Sequence, residues 1–183
     1  MEAWGEGAPI KGAATSLNFL LPMDIREKKH RLPREFYKGH VSVAFTLCLK
    51  KDAQLFTKHE IVKVFTDALT SIAIGIGCIV PVYCFMPNHQ HLIVTGIRSD
   101  SDIWKMVVGY KQKTGFRMLE NTQGIRWQKD FYDHIIRKSE DMAVQVRYIL
   151  NNPVRKSLVS TWNEYPFKGS IGCKLEYVLN NIM

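Results

Sequence analysis

The chain has 183 residues, 46% of them apolar, which suits one domain with a proper core and means that most of it should fold. Its 25 Lys and Arg against 17 Asp and Glu give a net charge of +8, which favours a polyanionic partner, nucleic acid first and an anionic membrane surface second. No apolar run reaches the length of a membrane span, and the N-terminus lacks the order of a secretory signal. Cys48, Cys78, Cys84 and Cys173 have no C-x-x-C spacing, so they read as reduced thiols of a cytoplasmic protein.

Residues 1–30 read as a flexible arm carrying one apolar patch, Phe19-Leu20-Leu21. At its end Arg26, Lys28, Lys29, Arg31 and Arg34 cluster, either as a solvated tail or as a basic arm on phosphates. A first strand is expected over 40–49, where Val-Ser-Val-Ala-Phe-Thr alternates. Residues 57–75 have helical spacing, with Thr57 and Glu60 placed as a capping box and Gly75 and Gly77 as the stop. Strands follow at about 78–86 and 90–96, joined through Pro87-Asn88.

A second helix is expected at about 102–120, capped from Ser99–Ser101. Its apolar stripe is Ile103, Met106, Val107, Tyr110, Phe116 and Leu119. Lys105, Lys111, Lys113 and Arg117 on it suit a phosphate backbone. A loop with Arg126 and Lys129 leads into a fourth strand at 131–137. A last helix starts near Ser139 and should end at Pro153, just before Arg155 and Lys156. This order predicts an α+β protein: a ferredoxin-like βαββαβ four-stranded antiparallel sheet with an extra C-terminal helix. Residues 169–183 read as a tail with a short helix.

His89 and His91 are two apart, so on a strand they face one side and could share a divalent metal. Tyr148 and Asn152, four apart, lie on one face of the last helix. Packed on the sheet, that helix would bring a phenol and an amide to the imidazoles. A metal held by neutral ligands keeps its charge for a phosphate oxygen, and the phenol is then a nucleophile placed in line. Tyr110 and Tyr132 are rival nucleophiles, although both suit packing roles.

Together, Met86-Pro87-Asn88-His89-Gln90-His91, Trp127-Gln128 with Tyr132-Asp133-His134-Ile135-Ile136-Arg137, and Tyr148-Ile149-Leu150-Asn151-Asn152-Pro153-Val154 resemble the single-tyrosine HUH transposases. The REP-associated tyrosine transposases are the most similar group, and the entry to the first strand, from Arg31 to His40, fits them too. The resemblance covers residues 31–168. It implies that Tyr148 is the nucleophile, that His89, His91 and Asn152 hold Mg²⁺ or Mn²⁺, and that hairpin-forming single-stranded DNA is cut and rejoined through a 5′-phosphotyrosine. It favours a monomer over a dimer that exchanges the tyrosine helix. One departure is Gln90, where the family has an apolar residue. It should point away from the histidines into packed structure and need partners there. The competing readings are a domesticated hairpin-binding protein that no longer cuts, and a small ferredoxin-like RNA-binding protein.

Overall fold

The computed structural model describes residues 32–122, 124–137 and 139–181. The arm residues Arg26, Lys28, Lys29 and Arg31, and the patch Phe19-Leu20-Leu21, lie outside them. The order is β1 (Ser42–Cys48), α1 (His59–Ile76), β2 (Cys78–Met86), β3 (His89–Gly96), α2 (Ile103–Asn121), β4 (Tyr132–Ile136), α3 (Ser139–Arg155), β5 (Lys168–Ile171) and α4 (Leu175–Asn180). The strands form one antiparallel sheet, β4-β1-β3-β2-β5. Its first four strands have the ferredoxin-like order. The fifth was not expected: residues 168–171 pair with the outer edge of β2, so the segment read as a tail begins inside the sheet.

Period-two alternation divides the sheet residues between two cores. Val43, Phe45, Leu47, Leu92 and Val94 face α1 and α2. Ala44, Ile93, Val82, Cys84 and Met86 face α3 and the C-terminal segment with Val146, Ile149, Leu150 and Tyr165. In β2 the register shifts between Ile79 and Val82, around Pro81, which puts Val80 in one core and Val82 in the other. All four cysteines are free thiols, Cys78 and Cys84 buried. Among the described residues no helix is long and apolar enough to cross a membrane.

Three helix boundaries differ from expectation. Helix α1 starts after Lys58 with no side-chain cap, so Thr57 and Glu60 make no capping box. Instead the buried Leu55 and Phe56 bond through their amides to the Pro87 carbonyl and set where the helix begins. Helix α2 is capped by Asp102, which accepts from the Lys105 amide, because the Ser101 hydroxyl is buried and donates to the Gly77 carbonyl. Helix α3 runs through Pro153 to Arg155: the proline lacks the amide that would donate to the Ile149 carbonyl, and the helix ends within the same turn, where the amides of Lys156, Ser157 and Leu158 donate to the carbonyls of Asn152, Val154 and Pro153. At the other end of α1, Gly77 adopts φ 70°, a left-handed cap that favours glycine. The buried stripe of α2 includes Trp104, Thr114 and Met118, whereas Phe116 and Leu119 are exposed.

Gln90 is fully buried and points to α2, as its register requires. Its Oε1 accepts from the Tyr110 hydroxyl at 2.8 Å, while its Nε2 has no partner among the described residues. Gln90→Leu would strand the buried Tyr110 hydroxyl and should lower unfolding free energy by about 1–3 kcal/mol. Adding Tyr110→Phe removes the stranded group and should recover most of that loss. Urea unfolding of the two single variants and the double variant measures it; additive losses would show that the pair is not coupled.

Candidate active site

On the opposite face, β3 presents His89 and His91 towards α3. The Nε2 atoms of the two rings are 3.0 Å apart, with ring planes at 90°. Their Nδ1 atoms are each held from behind. His91 Nδ1 lies 2.9 Å from Thr46 Oγ1, on the neighbouring strand at the paired position. His89 Nδ1 lies 2.6 Å from Asn88 Oδ1, while Asn88 Nδ2 donates to Asp52 Oδ1 at 3.4 Å. That second bond turns the Asn88 oxygen to His89, so His89 Nδ1 carries the proton and its Nε2 presents a lone pair. Lys51 and Asp52 adopt left-handed φ of 56° and 49°, backbone strain that brings the Asp52 carboxylate to Asn88.

Both imidazoles are held neutral. Burial, then the His89 ring and the Arg155 charge, push the His91 pKa down to about 3. Burial and the Lys156 charge lower that of His89, partly opposed by Asp52. Arg155 is the last residue of α3 and Lys156 follows it.

Tyr148 projects from α3 with its ring 5.9 Å from that of His91. It is 44% exposed, and the Arg155 guanidinium lies 4.9 Å from its ring centre. Tyr148, His91 and Thr46 line a cleft of about 120 Å³ with Gln145, Tyr132 and His134. Across the sheet, Tyr132, Thr46, His91, Cys84 and Lys168 form one row on β4, β1, β3, β2 and β5. Asn152 follows Tyr148 by one turn, is 6% exposed, and donates from Nδ2 to the Tyr148 carbonyl, which orients its side chain.

Of the rival tyrosines, Tyr110 is on the other face, completely buried, its hydroxyl pKa raised by that burial. Tyr132 is in the cleft, 64% exposed, on β4 and not on the helix.

The pair suits a divalent ion. Two ligand atoms at right angles around an ion, each about 2.1 Å from it, stand about 3.0 Å from one another. Tied Nδ1 atoms are also the outer-shell arrangement of metal-binding histidines. Among the described residues no three His, Cys, Asp or Glu side chains converge, so a third protein ligand would be of another type, for which Asn152 is the candidate.

The expected basic residues separate into groups. Arg155 is at the Tyr148 ring, and Lys156 follows it. Lys105, Lys113 and Arg117 are exposed on α2, and Arg126 and Lys129 on the loop beside it. Lys111 instead donates to the carbonyls of Gln128, Lys129 and Asp130, so it serves the loop and not the open surface. The Arg34 guanidinium stacks on the Trp104 ring at 5.4 Å. Sequence reading missed Thr46, Asn88 and Asp52 as supports of the histidines. Asn88 adjoins the motif, but Thr46 and Asp52 carry no local signal, because cross-strand pairing and a turn bring them in.

Residues 37–152 match the family described as "Transposase IS200 like". A Haemophilus influenzae protein, "Putative REP-associated tyrosine transposase", is 28% identical over 96 residues, 46% of this chain and 54% of the relative, so the match spans about half of that protein's length. A solved REP-associated tyrosine transposase bound to a REP hairpin is 26% identical, with a TM-score of 0.63, covering 75% of this chain and 81% of that one.

Proposed function

Because the chain belongs to the IS200-like transposases, we propose that it binds hairpin-forming single-stranded DNA and cleaves and rejoins it through Tyr148, with a divalent metal. The observation that carries this reading is an exposed tyrosine sharing a cleft with His91, whose Nε2 stands 3.0 Å from that of His89. The hairpin in the solved relative supports the substrate class.

In this reading His89, His91 and Asn152 would hold Mg²⁺ or Mn²⁺, which would supply Lewis-acid stabilisation of charge on the scissile phosphate. Arg155 and Lys156 attract that phosphate. The Tyr148 oxygen attacks phosphorus and gives up its proton; the bond from phosphorus to the 3′ oxygen breaks, and that oxygen takes a proton to become a free 3′-hydroxyl. The 5′-phosphotyrosine conserves one phosphoester, so a 3′-hydroxyl can reverse the step without ATP. Helix α3 packs against the strands of its own chain, which supports action as a monomer.

The test is a denaturing gel of labelled hairpin DNA with Mg²⁺ or Mn²⁺. A covalent protein–DNA band supports cleavage through the chain; DNA binding without that band would favour a hairpin-binding protein that does not cut. Thr46→Val and Asn88→Ala should each weaken Mn²⁺ affinity roughly 10- to 100-fold by loosening the imidazoles. Calorimetric titration checks it. Unchanged affinity in both variants would mean that these hydrogen bonds do not organise the site.

A further inference from the structure

Helix α2 leaves two large apolar side chains uncovered: Phe116 is 65% exposed and Leu119 50%. Both line a cavity of about 590 Å³ between that helix and the 126–131 loop. Val108, Trp127 and Phe131 complete its apolar wall. Lys50, Arg126 and Lys129 line it from exposed positions, and none of its lining residues is a carboxylate. Sites that enclose a whole small molecule measure about 300–1,000 Å³, so this one has room for about two or three large side chains. An exposed apolar surface of this kind marks a contact that another segment completes.

The chain enters the described structure beside this cavity. The Arg34 guanidinium lies 5.4 Å from the centre of the Trp104 ring, and the Tyr37 ring stands 5.3 Å from the same ring. Trp104 also meets Phe131, which lines the cavity, at 5.2 Å. Trp104, Val108, Lys111 and Gly115 follow one another at intervals of four, three and four residues, so Trp104 and the cavity share one face of α2. From Trp104 to Leu119 that face is roughly 22 Å long. Residues 22–31 separate Leu21 from Leu32, and an extended chain of that length reaches roughly 33 Å. The stretch before them is apolar. Residues 12–25 hold Leu17, Phe19, Leu20, Leu21, Met23 and Ile25, with Asp24 as their one charged side chain.

We propose that this cavity is the seat of the chain's own segment 17–25, with Phe19, Leu20 and Leu21 against Phe116, Leu119 and Trp127, and the Asp24 carboxylate towards the cationic rim. Burial of large apolar side chains is the term that offsets the ordering of such a segment. A segment with Lys or Arg among its apolar residues would meet like charge at Lys50, Arg126 and Lys129, whereas this one brings a carboxylate alone. Its tether also favours it over a separate molecule. A short flexible linker presents its end at an effective concentration on the order of millimolar, so a modest contact suffices. Seating of residues 19–21 would hold the basic cluster Arg26, Lys28, Lys29 and Arg31 against the body of the protein at both its ends, at the cavity and at Trp104. The seating is independent of the DNA chemistry proposed above.

The experiment uses the full chain without DNA, carrying the photo-cross-linking residue p-benzoylphenylalanine in place of Phe116, an exposed aromatic position. A second protein carries the probe in place of Leu119. After irradiation, denaturing gels and mass spectrometry map the products. The expected result is a cross-link within one chain, from either probe to residues 17–25. Adding Phe19→Asp and Leu20→Asp together, which puts two carboxylates where apolar contact is needed, should lower its yield roughly tenfold or more. Phe19→Leu, which stays apolar, should keep it. Absence of a cross-link to residues 17–25 from both probes, or a yield unchanged by the two Asp substitutions, overturns the proposal. A product of doubled mass, joining two chains, also overturns it and gives the cavity to a second copy.

Discussion

Tyr148→Phe is expected to abolish covalent attachment of DNA, by roughly a thousandfold or more, while hairpin affinity should stay within about twofold. The substitution removes one oxygen and keeps the ring. That ring touches the two groups that position it, His91 at 5.9 Å and the Arg155 guanidinium at 4.9 Å, and both contacts are made by its face and edge and not by its hydroxyl. The helix should therefore stay seated and the cleft keep its shape. A denaturing gel measures attachment and anisotropy measures binding. If the Phe variant still attaches DNA, the nucleophile is another group in the cleft, and Tyr132 is next to be tested, since Tyr110 is sealed on the far side of the sheet.

His91→Ala should have the next largest effect. It is the more deeply placed imidazole, 6% exposed, on a strand paired on both sides and held by Thr46. Its loss removes one of two convergent nitrogens, so Mn²⁺ affinity should drop by roughly a hundredfold or more, with cleavage falling alongside. Excess Mn²⁺ should restore part of the activity. Asn152→Ala should act in the same direction but more weakly. If Asn152 only braces the helix through the Tyr148 carbonyl, its replacement lowers melting temperature and leaves metal affinity alone. Full cleavage by His91→Ala in chelated buffer would remove the metal from the mechanism.

The same histidine gives metal-free protein a pH signature. Its pKa is lowered from 6.5 to about 3 by burial first, then by His89 and Arg155. Between those values the unfolded chain binds the extra proton and the folded one does not. Stability is therefore complete above about pH 6.5 and declines as pH falls towards about 3. Melting in EDTA across that range should show a shallower decline for His91→Gln than for wild type.

The two-faced sheet explains the relation between the site and the rest of the chain. Residue 90 points into the α2 core while residues 89 and 91 point to the opposite face, so one strand serves packing and the candidate site at alternate positions. The Gln90–Tyr110 bond secures the middle of the His89-Gln90-His91 tripeptide from behind.

Much of this was legible in the sequence. Local alternation and helical spacing are set by neighbouring residues, so the βαββαβ order, the facing of His89 and His91, and the one-turn separation of Tyr148 and Asn152 follow from the chain alone. So does the inward direction of Gln90. What only the tertiary structure decided depends on residues far apart in sequence. Strand pairing put Thr46 behind His91, and a strained turn put Asp52 behind Asn88. Edge pairing made residues 168–171 a fifth strand. Long-range burial of Leu55 and Phe56, not Thr57, started α1. Docking of the 126–131 loop left Phe116 and Leu119 at a cavity where spacing had put them in a core. Local pattern states which way a side chain points; only the packing of distant segments states what it meets there.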